Sequence, residues 1–148
     1  MTVRVFVDTN VLVYSRDASE PKKQAQAMAW MTALWEKQAG RLSYQVLQEF
    51  YVTVTVKLDP GLPPEMARRD VRALLAWQPL AVEARLLEGA WLLQERYRLP
   101  WWDAFIVAAA QAAGCGYLLS EDFQEHQSLG DLTLVNPFRT LPEALDLA

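Results

Sequence analysis

The chain has 148 residues, with 14 Lys and Arg residues against 18 Asp and Glu residues, and a formal net charge of −4. This length predicts one domain, residues 1–148, with enough chain to bury a core without covalent cross-links. A hydrophobic content of 52% excludes a disordered chain, the single cysteine excludes a disulfide scaffold, and the apolar runs are too short to span a membrane. We therefore expect a cytoplasmic protein.

The first third of the chain predicts one strand followed by helices. Residues 3–7 are mostly apolar and β-branched, which is typical of a strand buried on both faces. The polar residues 8–10 end this strand and cap a short helix over residues 11–14. A longer helix is predicted over residues 20–38, where apolar side chains recur at helical spacing and Gly40 provides the end.

In the middle of the chain, propensity and periodicity disagree. Residues 41–43 are too short to assign alone and are compatible with a strand of two or three residues, after which Ser43 would cap a helix over residues 44–57. The β-branched residues 52–56 favour a strand by propensity, but the apolar positions have helical periodicity, and we predict a helix. These positions are Val46, Leu47, Phe50, Tyr51 and Val54. The Pro- and Gly-containing residues 59–64 form a loop within the domain.

The remainder of the chain alternates helices with short strands. Helices are predicted over residues 65–76, 83–97 and 101–113, strands over 80–82, 116–119 and 132–135, and a short final helix at the capping box 140–143. Strands that alternate with helices predict an α/β domain with a mostly parallel sheet.

Four acidic residues occupy informative positions in this pattern. Asp8 follows the first predicted strand, Asp122 follows a later strand, and Asp103 lies in the first turn of a helix. Open α/β sheets bind ligands beyond the carboxyl ends of their strands, so Asp8 and Asp122 are expected at the same edge. Glu49 has apolar neighbours in its helix, and we expect its side chain to be partly desolvated.

Carboxylates that are brought together repel one another, and a hard cation such as Mg²⁺ or Mn²⁺ relieves the repulsion. Such a cation can activate a water molecule and neutralise charge on a phosphate. Each acid alone also has a structural explanation: Asp8 and Asp103 as helix caps, Asp122 in a turn, and Glu49 in an ion pair with an arginine. Two acids at strand ends favour a site but do not by themselves name a reaction.

Other reactive residues favour structural roles. His126, in a polar loop, is expected to be solvated rather than catalytic, and Cys115 is expected to be buried. The six tryptophans, including adjacent Trp101 and Trp102, are expected in packing or an oligomer interface rather than in base stacking. The sequence contains neither a Gly-rich phosphate loop nor a G-x-S-x-G motif, which disfavours nucleotide binding by that route and acyl hydrolysis.

Four segments resemble, in order and spacing, the acidic motifs of PIN-domain ribonucleases. The segments are VFVDTNVL at residues 5–12, LQEFY at 47–51, LPWWDAFIVAAA at 99–110 and LLSEDF at 118–123. One such motif is a weak signal, whereas four in order, each with its acid, are a strong one. The compact length is similar to that of the VapC-type toxins of bacterial and archaeal toxin–antitoxin pairs.

The resemblance implies a PIN-like, three-layer α/β/α sandwich in which helices flank a central, mostly parallel sheet. The implied catalytic and metal-binding residues are Asp8, Glu49, Asp103 and Asp122, and the implied supporting residues are Asn10 and Ser120. The implied activity is that of a Mg²⁺- or Mn²⁺-dependent endoribonuclease, in which metal-activated water cleaves an RNA phosphodiester bond. The implied partners are an RNA substrate, a second copy in a homodimer, and an antitoxin that inserts into an apolar groove beside the active site.

An RNA-cleaving enzyme is expected to present basic residues, although this chain is acidic overall. The candidates for a phosphate-facing patch are Arg16, Lys22, Lys23, Arg68, Arg69 and Arg72, which solvated helix faces explain equally well. The candidates for the antitoxin groove or the dimer interface are Trp30, Trp35, Trp101 and Trp102. Without the four pocket acids, the 18 acidic residues become 14, equal to the 14 basic ones. The net charge is therefore compatible with an RNA substrate.

Two other functions stay open at the level of sequence. One is a catalytically silent PIN-fold module that binds RNA or protein, although such modules typically lack one or more of the four acids. The other is a phosphoaspartyl enzyme with Asp8 as the acceptor. That chemistry needs a lysine at a later strand end, and Lys57 is the last lysine of the chain.

Overall fold

A computed structural model of the chain describes residues 3–124 and 126–147, and this part contains one five-stranded sheet. Its strands are β1 (Val5–Val7), β2 (Gly40–Arg41), β3 (Tyr117–Leu119), β4 (Ser128–Leu129) and β5 (Leu132–Val135). The spatial order is β2-β1-β3-β5-β4. Strand β1 pairs in parallel with β2 and β3, β3 pairs in parallel with β5, and β4 pairs antiparallel with β5.

Six α-helices accompany the sheet in the described part of the chain. They are α1 (Thr9–Tyr14), α2 (Pro21–Lys37), α3 (Tyr44–Val52), α4 (Pro64–Leu74), α5 (Ala84–Tyr97) and α6 (Trp101–Ala112). Helices α5 and α6 pack against each other, α1 contacts α2 and α3, and α3 contacts α4. This arrangement confirms the predicted α/β/α sandwich. Across residues 3–124 and 126–147, no helix combines the length and the apolar character needed to cross a bilayer.

The core forms where the sequence is most uniformly apolar. All three residues of β1 are fully buried, as its β-branched composition predicts. Helix α6 is buried continuously from Ala104 to Ala110 and contacts both α5 and β3. Small residues permit this close packing, since a Cβ on Gly89 of α5 would lie 3.7 Å from the Cβ of Ala108. The alanine-rich sequence of α6 therefore fits a helix enclosed by neighbouring elements.

The long helix ends within one residue of the predicted position, but Gly40 is not the residue that ends it. Helix α2 ends at Lys37, and Gln38 takes the left-handed conformation (φ 53°) that closes it. Gly40 instead lies in β2, where a Cβ would approach the indole ring of Trp77 to 2.5 Å. Glycine is needed at this position for close packing against an aromatic ring, not for helix termination.

The helix predicted over residues 44–57 is confirmed, against the strand propensity of its second half. Ser43 caps it, because Ser43 Oγ accepts a hydrogen bond from the Val46 amide at 3.3 Å. Beyond α3 the chain continues as a π-helical turn over Thr53–Lys57. Burial of one helical face outweighs the preference of the β-branched residues for a strand.

One predicted short strand is wrong, and one short strand was not predicted. Residues 80–82 do not form a strand, because only Leu80 makes an isolated bridge, with Ser43 beyond the end of the two-residue β2. Strand β4 was not predicted. It pairs with β5 over two residues, around a turn where Gly130 has a φ of 64°. A strand of this length has too few residues to show a recognisable alternation.

The predicted capping box at residues 140–143 is also wrong. The segment forms a 3₁₀ turn over Pro142–Leu145, with Leu141 at the N-cap and no side-chain capping bond. Proline favours the first position of a helical turn, where its missing amide is not needed. The turn therefore begins one residue later than a Thr140 cap would require.

Candidate active site

The candidate site lies where the parallel strands β1 and β3 end side by side. Val7 pairs with Leu119 across these strands, and the Asp8 amide donates a hydrogen bond to the Leu119 carbonyl at 3.0 Å. The chain therefore carries Asp8 and Ser120 out of the sheet at the same edge. The Asp8 carboxylate also caps α1, because its Oδ1 accepts a hydrogen bond from the Thr9 amide at 2.8 Å.

An open cleft of about 420 Å³ at this edge brings together the four acidic residues singled out in the sequence. They are Asp8 after β1, Glu49 on α3, Asp103 on α6 and Asp122 after β3. Asn10 lines the same cleft, and the buried Ser120 contacts Asp8 beside it. Residues from four separate segments of the chain thus share one concave surface.

Hydrogen bonds through Ser120 and Asn10 connect Asp8 to Asp122. Ser120 Oγ donates to Asp8 Oδ2 at 2.8 Å and accepts from the Asp122 amide at 3.1 Å. Asn10 Nδ2 donates to Ser120 Oγ and to Asp122 Oδ2, each at 3.1 Å. Asn10 Oδ1 accepts from the Glu121 amide at 3.3 Å. This network fixes the orientation of two carboxylates that belong to different strands.

Glu49 is exposed, so the expectation that it is partly desolvated is wrong. The buried face of α3 carries Val46 and Phe50, and Glu49 lies at the margin of this face, where it lines the open cleft. Two side chains hold its carboxylate: Thr9 Oγ1 donates to Oε2 at 2.7 Å, and Gln45 Nε2 donates to Oε1 at 2.9 Å. The spacing of Gln45 and Glu49, one helical turn apart, was a signal for this contact that sequence reasoning did not use.

Burial and repulsion between carboxylates raise the pKa values of two acids in the cleft. The pKa of Asp8 is raised from 3.8 to about 6, chiefly by burial and also by the charges of Asp122 and Glu49. Hydrogen bonds from Ser120 and Thr9 oppose this rise. The pKa of Asp103 is raised by burial and then by the charge of Asp122. A cation in the cleft would favour the ionised form of all these groups.

A family model described as PIN domain matches residues 5–127, which include all four acids. The chain belongs to the PIN domain family. Its fold is also similar to a chain in the solved structure of a toxin–antitoxin complex from Klebsiella pneumoniae. The two share a TM-score of 0.61 and 19% sequence identity, over 90% of this chain and 97% of that chain. No curated protein matches the sequence significantly.

The donor atoms of the PIN-domain cleft fit a hard divalent cation. They are carboxylate oxygens, which Mg²⁺ and Mn²⁺ prefer. In the described part of the chain, no three His, Cys, Asp or Glu side chains already stand in an arrangement that holds a metal ion. Mg²⁺ commonly keeps several waters and binds through one or two carboxylates, so a closed cage is not required.

Two further acids line the cleft of this PIN domain, although sequence reasoning did not select them. Asp17 is buried and accepts hydrogen bonds from the amide and the hydroxyl of Ser19, at 3.0 and 2.6 Å. Glu121 pairs with Lys23, whose Nζ lies 2.9 Å from its Oε2. The position of Glu121 next to Asp122 was an available signal, whereas no local pattern marks Asp17. Tertiary folding alone brings Asp17 to the cleft.

The structure separates the basic residues that were candidates for a phosphate-facing patch. Arg16 makes a bidentate ion pair with Asp70, at 2.6 and 2.7 Å, and its guanidinium is engaged there. Lys23 pairs with Glu121 and stands 4.7 Å from the centre of the Tyr14 ring, at the margin of the cleft. Lys23 is therefore the candidate that contacts cleft residues, and phosphate binding by any of the six stays a prediction.

The four candidate tryptophans have different surroundings, and one prediction is wrong. Trp30 is 1% exposed in the core, and its indole donates hydrogen bonds to the backbone. Burial therefore removes Trp30 from any groove or interface. Trp35 lines a groove beside α1, Trp101 packs against the rings of Trp91 and Phe105, and Trp102 lines the acidic cleft.

The remaining reactive side chains lie outside the cleft, as predicted. Cys115 is 7% exposed, and burial raises the pKa of its thiol to about 12, which keeps it protonated and unreactive. His126 is exposed and does not line the cleft. The described residues that line the cleft therefore offer oxygen chemistry based on carboxylates.

Proposed function

We propose that this PIN domain is a metal-dependent endoribonuclease that acts in the cytoplasm as the toxin of a toxin–antitoxin pair. The observation that carries the proposal is the cleft in which Asp8, Glu49, Asp103 and Asp122 share one surface. PIN domains are generally nucleases, which supports the reaction class. The choice of RNA over DNA is supported by the resemblance of the four motifs to PIN-domain ribonucleases.

Each side chain of the cleft has a defined task in this proposal. Asp8, Glu49, Asp103 and Asp122 would hold Mg²⁺ or Mn²⁺. Such a cation lowers the pKa of a coordinated water and neutralises charge that develops on the scissile phosphate. Asp103 lies in the first turn of α6, where the positive end of the helix favours its ionised form.

Ser120 and Asn10 would position the carboxylates rather than contact the substrate. Ser120 orients Asp8 through a hydrogen bond of 2.8 Å, and Asn10 orients Asp122 through one of 3.1 Å. Thr9 and Gln45 do the same for Glu49. Because these partners fix the side-chain rotamers, the carboxylates are partly preorganised for a cation.

A groove on the other side of α1 supports the proposed antitoxin partner. The groove has a volume of about 280 Å³ and contains exposed apolar side chains of α2. Its apolar lining includes Leu12, Met28, Met31, Trp35, Phe50 and Leu74. Such a surface suits the apolar face of a partner helix or extended tail. The similar chain from Klebsiella pneumoniae comes from a toxin–antitoxin complex, which is consistent with a partner of this kind.

A second groove, between α3 and α4, is the surface that we propose for the homodimer. Its volume is about 460 Å³, and its apolar lining includes Tyr44, Leu47, Tyr51, Val52, Val71 and Leu75. Val52 is 47% exposed there. We expect Val52→Glu to convert a dimer to a monomer in size-exclusion chromatography with light scattering. A wild-type chain that is monomeric at micromolar concentration would contradict this assignment.

The experiment that tests the nuclease proposal is sequencing of RNA ends after induced expression, with Asp8→Asn as the control. We expect new, sequence-restricted 5′ ends and growth arrest with the wild-type chain, and neither with Asp8→Asn. Identical RNA ends in both cultures would overturn the proposal.

The silent PIN-fold module is the second candidate, and the presence of all four acids in the cleft ranks it below the nuclease. Calorimetry with Mn²⁺ separates the two functions. Saturable binding that Asp8→Asn removes supports the nuclease, whereas no binding at millimolar Mn²⁺ supports the silent module.

A further inference from the structure

Trp102 is the most exposed of the indoles in the described part of the chain. It is 64% exposed in the first turn of α6, directly before Asp103, and it lines the acidic cleft. The other exposed indoles rest on aromatic rings: Trp35 lies 5.1 Å from Trp77, and Trp91 lies 6.4 Å from Trp101. Within residues 3–124 and 126–147, Trp102 makes no such ring contact.

Core packing does not explain an indole in this position. A tryptophan side chain stabilises a fold by burying its large apolar surface, and Trp102 keeps most of that surface in water. Its neighbour Trp101 is half-buried and packs on Phe105, so the adjacent tryptophans have different environments. An exposed aromatic ring beside a polar cleft is a surface available to a ligand.

The chemistry of the cleft restricts what that ligand is. The cleft that Trp102 lines also contains carboxylates, including Asp103 and Glu49, and they disfavour an acidic peptide. A nucleobase is neutral and planar and stacks on an indole whatever its identity. The phosphate next to that base would lie toward the carboxylates, where a divalent cation offsets their charge.

We propose that Trp102 stacks on an unpaired nucleobase next to the scissile phosphate. This inference rests on the proposed nuclease function, because that function places a phosphate in the cleft. A base inside a duplex has both faces covered by its neighbours, so a surface indole reaches only an unstacked base. The sequence predicted packing or an oligomer interface for the tryptophans, and the exposure of Trp102 in the cleft excludes only core packing.

The test measures RNA binding without cleavage. The wild-type chain is titrated in Ca²⁺, which binds carboxylate oxygens in a looser geometry than Mg²⁺. The probe is a 5′-fluorescein-labelled, ten-nucleotide single-stranded RNA of mixed sequence, with fluorescence anisotropy as the readout and gel electrophoresis to check that the RNA stays intact. Trp102→Leu keeps an apolar side chain but removes the aromatic face, and Trp102→Phe keeps a ring. Trp91→Leu is the matched control, because Trp91 is 48% exposed but does not line the cleft.

We expect Trp102→Leu to weaken single-stranded RNA binding by about 5- to 150-fold, the range measured for loss of one base–aromatic stack. Trp102→Phe should keep most of the affinity, and Trp91→Leu should match the parent. The same RNA annealed to its complement should bind more weakly and with no dependence on Trp102. Equal binding by parent and Trp102→Leu, or equal losses for Leu and Phe, would overturn the inference.

Two further outcomes separate this inference from the function on which it rests. If Trp102→Leu loses RNA affinity but the wild-type chain cleaves no RNA with Mg²⁺ or Mn²⁺, the stacking site stands and the nuclease proposal fails. If the wild-type chain cleaves RNA and Trp102→Leu cleaves it with unchanged KM, the nuclease stands and the stacking site fails. Unchanged RNA binding with loss of a co-expressed protein partner would assign the indole to that partner.

Discussion

Helix α1 separates two concave surfaces of opposite chemistry. On one side, Thr9, Asn10 and Val13 line the acidic cleft, whose described lining includes six carboxylates. On the other side, Leu12 borders a groove with the exposed apolar side chains of α2. A helix of six residues thus divides a surface suited to cations and phosphates from one suited to apolar side chains.

The two surfaces affect the stability of the folded protein in different ways. In the cleft, buried and clustered carboxylates raise the pKa of Asp8 to about 6, which destabilises the ionised folded protein. The groove carries little charge strain, because Arg16 and Asp70 neutralise each other there. The groove instead contains exposed apolar side chains, with Met28 52% exposed and Trp35 39% exposed. Electrostatic strain is typical of reactive sites, whereas exposed apolar surface is typical of association.

The largest expected effect is the loss of RNA cleavage when one carboxylate of the cleft is neutralised. Asp103→Asn should reduce RNA cleavage by at least about a hundredfold, because an amide is a much weaker ligand for a hard cation. Binding of a protein partner in the groove should be unchanged. Cleavage is measured on labelled RNA with Mg²⁺ and Mn²⁺. Asp131→Asn, an exposed acid outside the cleft, is the matched control and should cleave normally. Full activity of Asp103→Asn would remove this residue from the site.

A smaller effect on Mn²⁺ affinity or cleavage is expected from a substitution at a residue that positions a carboxylate through a hydrogen bond. Ser120→Ala removes the hydrogen bond to Asp8 Oδ2 and should lower Mn²⁺ affinity or cleavage by about 10- to 100-fold. Calorimetry and a cleavage assay measure the two quantities. Ser128→Ala, at an exposed position in β4, should change neither. Wild-type Mn²⁺ affinity in Ser120→Ala would show that Asp8 does not need this contact.

The reverse experiment damages the groove and spares the cleft. Met31→Glu places a charge in the apolar groove and should weaken binding of a partner by at least about tenfold, since the charge must be desolvated. The probe is the product of the neighbouring open reading frame, co-expressed and co-purified. RNA cleavage should be unchanged. Val82→Glu, 55% exposed and outside both surfaces, is the control. Co-purification that survives Met31→Glu would place the partner elsewhere.

The smallest expected effect tests the electrostatic cost of the cleft. In EDTA, the pKa of Asp8 in the folded state is about 6, above its ordinary value of 3.8. Between these values the folded protein binds more protons than the unfolded chain, so the free energy of unfolding should fall as pH rises from 4 to 6. Urea unfolding across this range measures it. Asp8→Asn lacks this contribution and should show a flatter profile. Identical pH profiles for the two chains would contradict the raised pKa.

The acids of the site were accessible to sequence reasoning because each is coupled to a local feature. Asp8 ends a strand, Asp103 begins a helix, and Asp122 follows a buried apolar run, and all three line the cleft. Local sequence did not predict the environment of Glu49, because Val46 and Phe50 are buried in the core whereas Glu49, beside them, is exposed in the cleft. It did not reveal Asp17 either, since no nearby element marks that residue as part of a site.

The sequence by itself determined the α/β alternation, the positions of most helices and the identity of four cleft carboxylates. Periodicity, capping residues and strand-end positions are local properties, and they are visible without a fold. Only the tertiary structure decided which surface each side chain faces: that Trp30 is buried, that Trp102 stands in the cleft, and that Gly40 accommodates an indole. Those outcomes depend on contacts between distant segments, which no local pattern encodes.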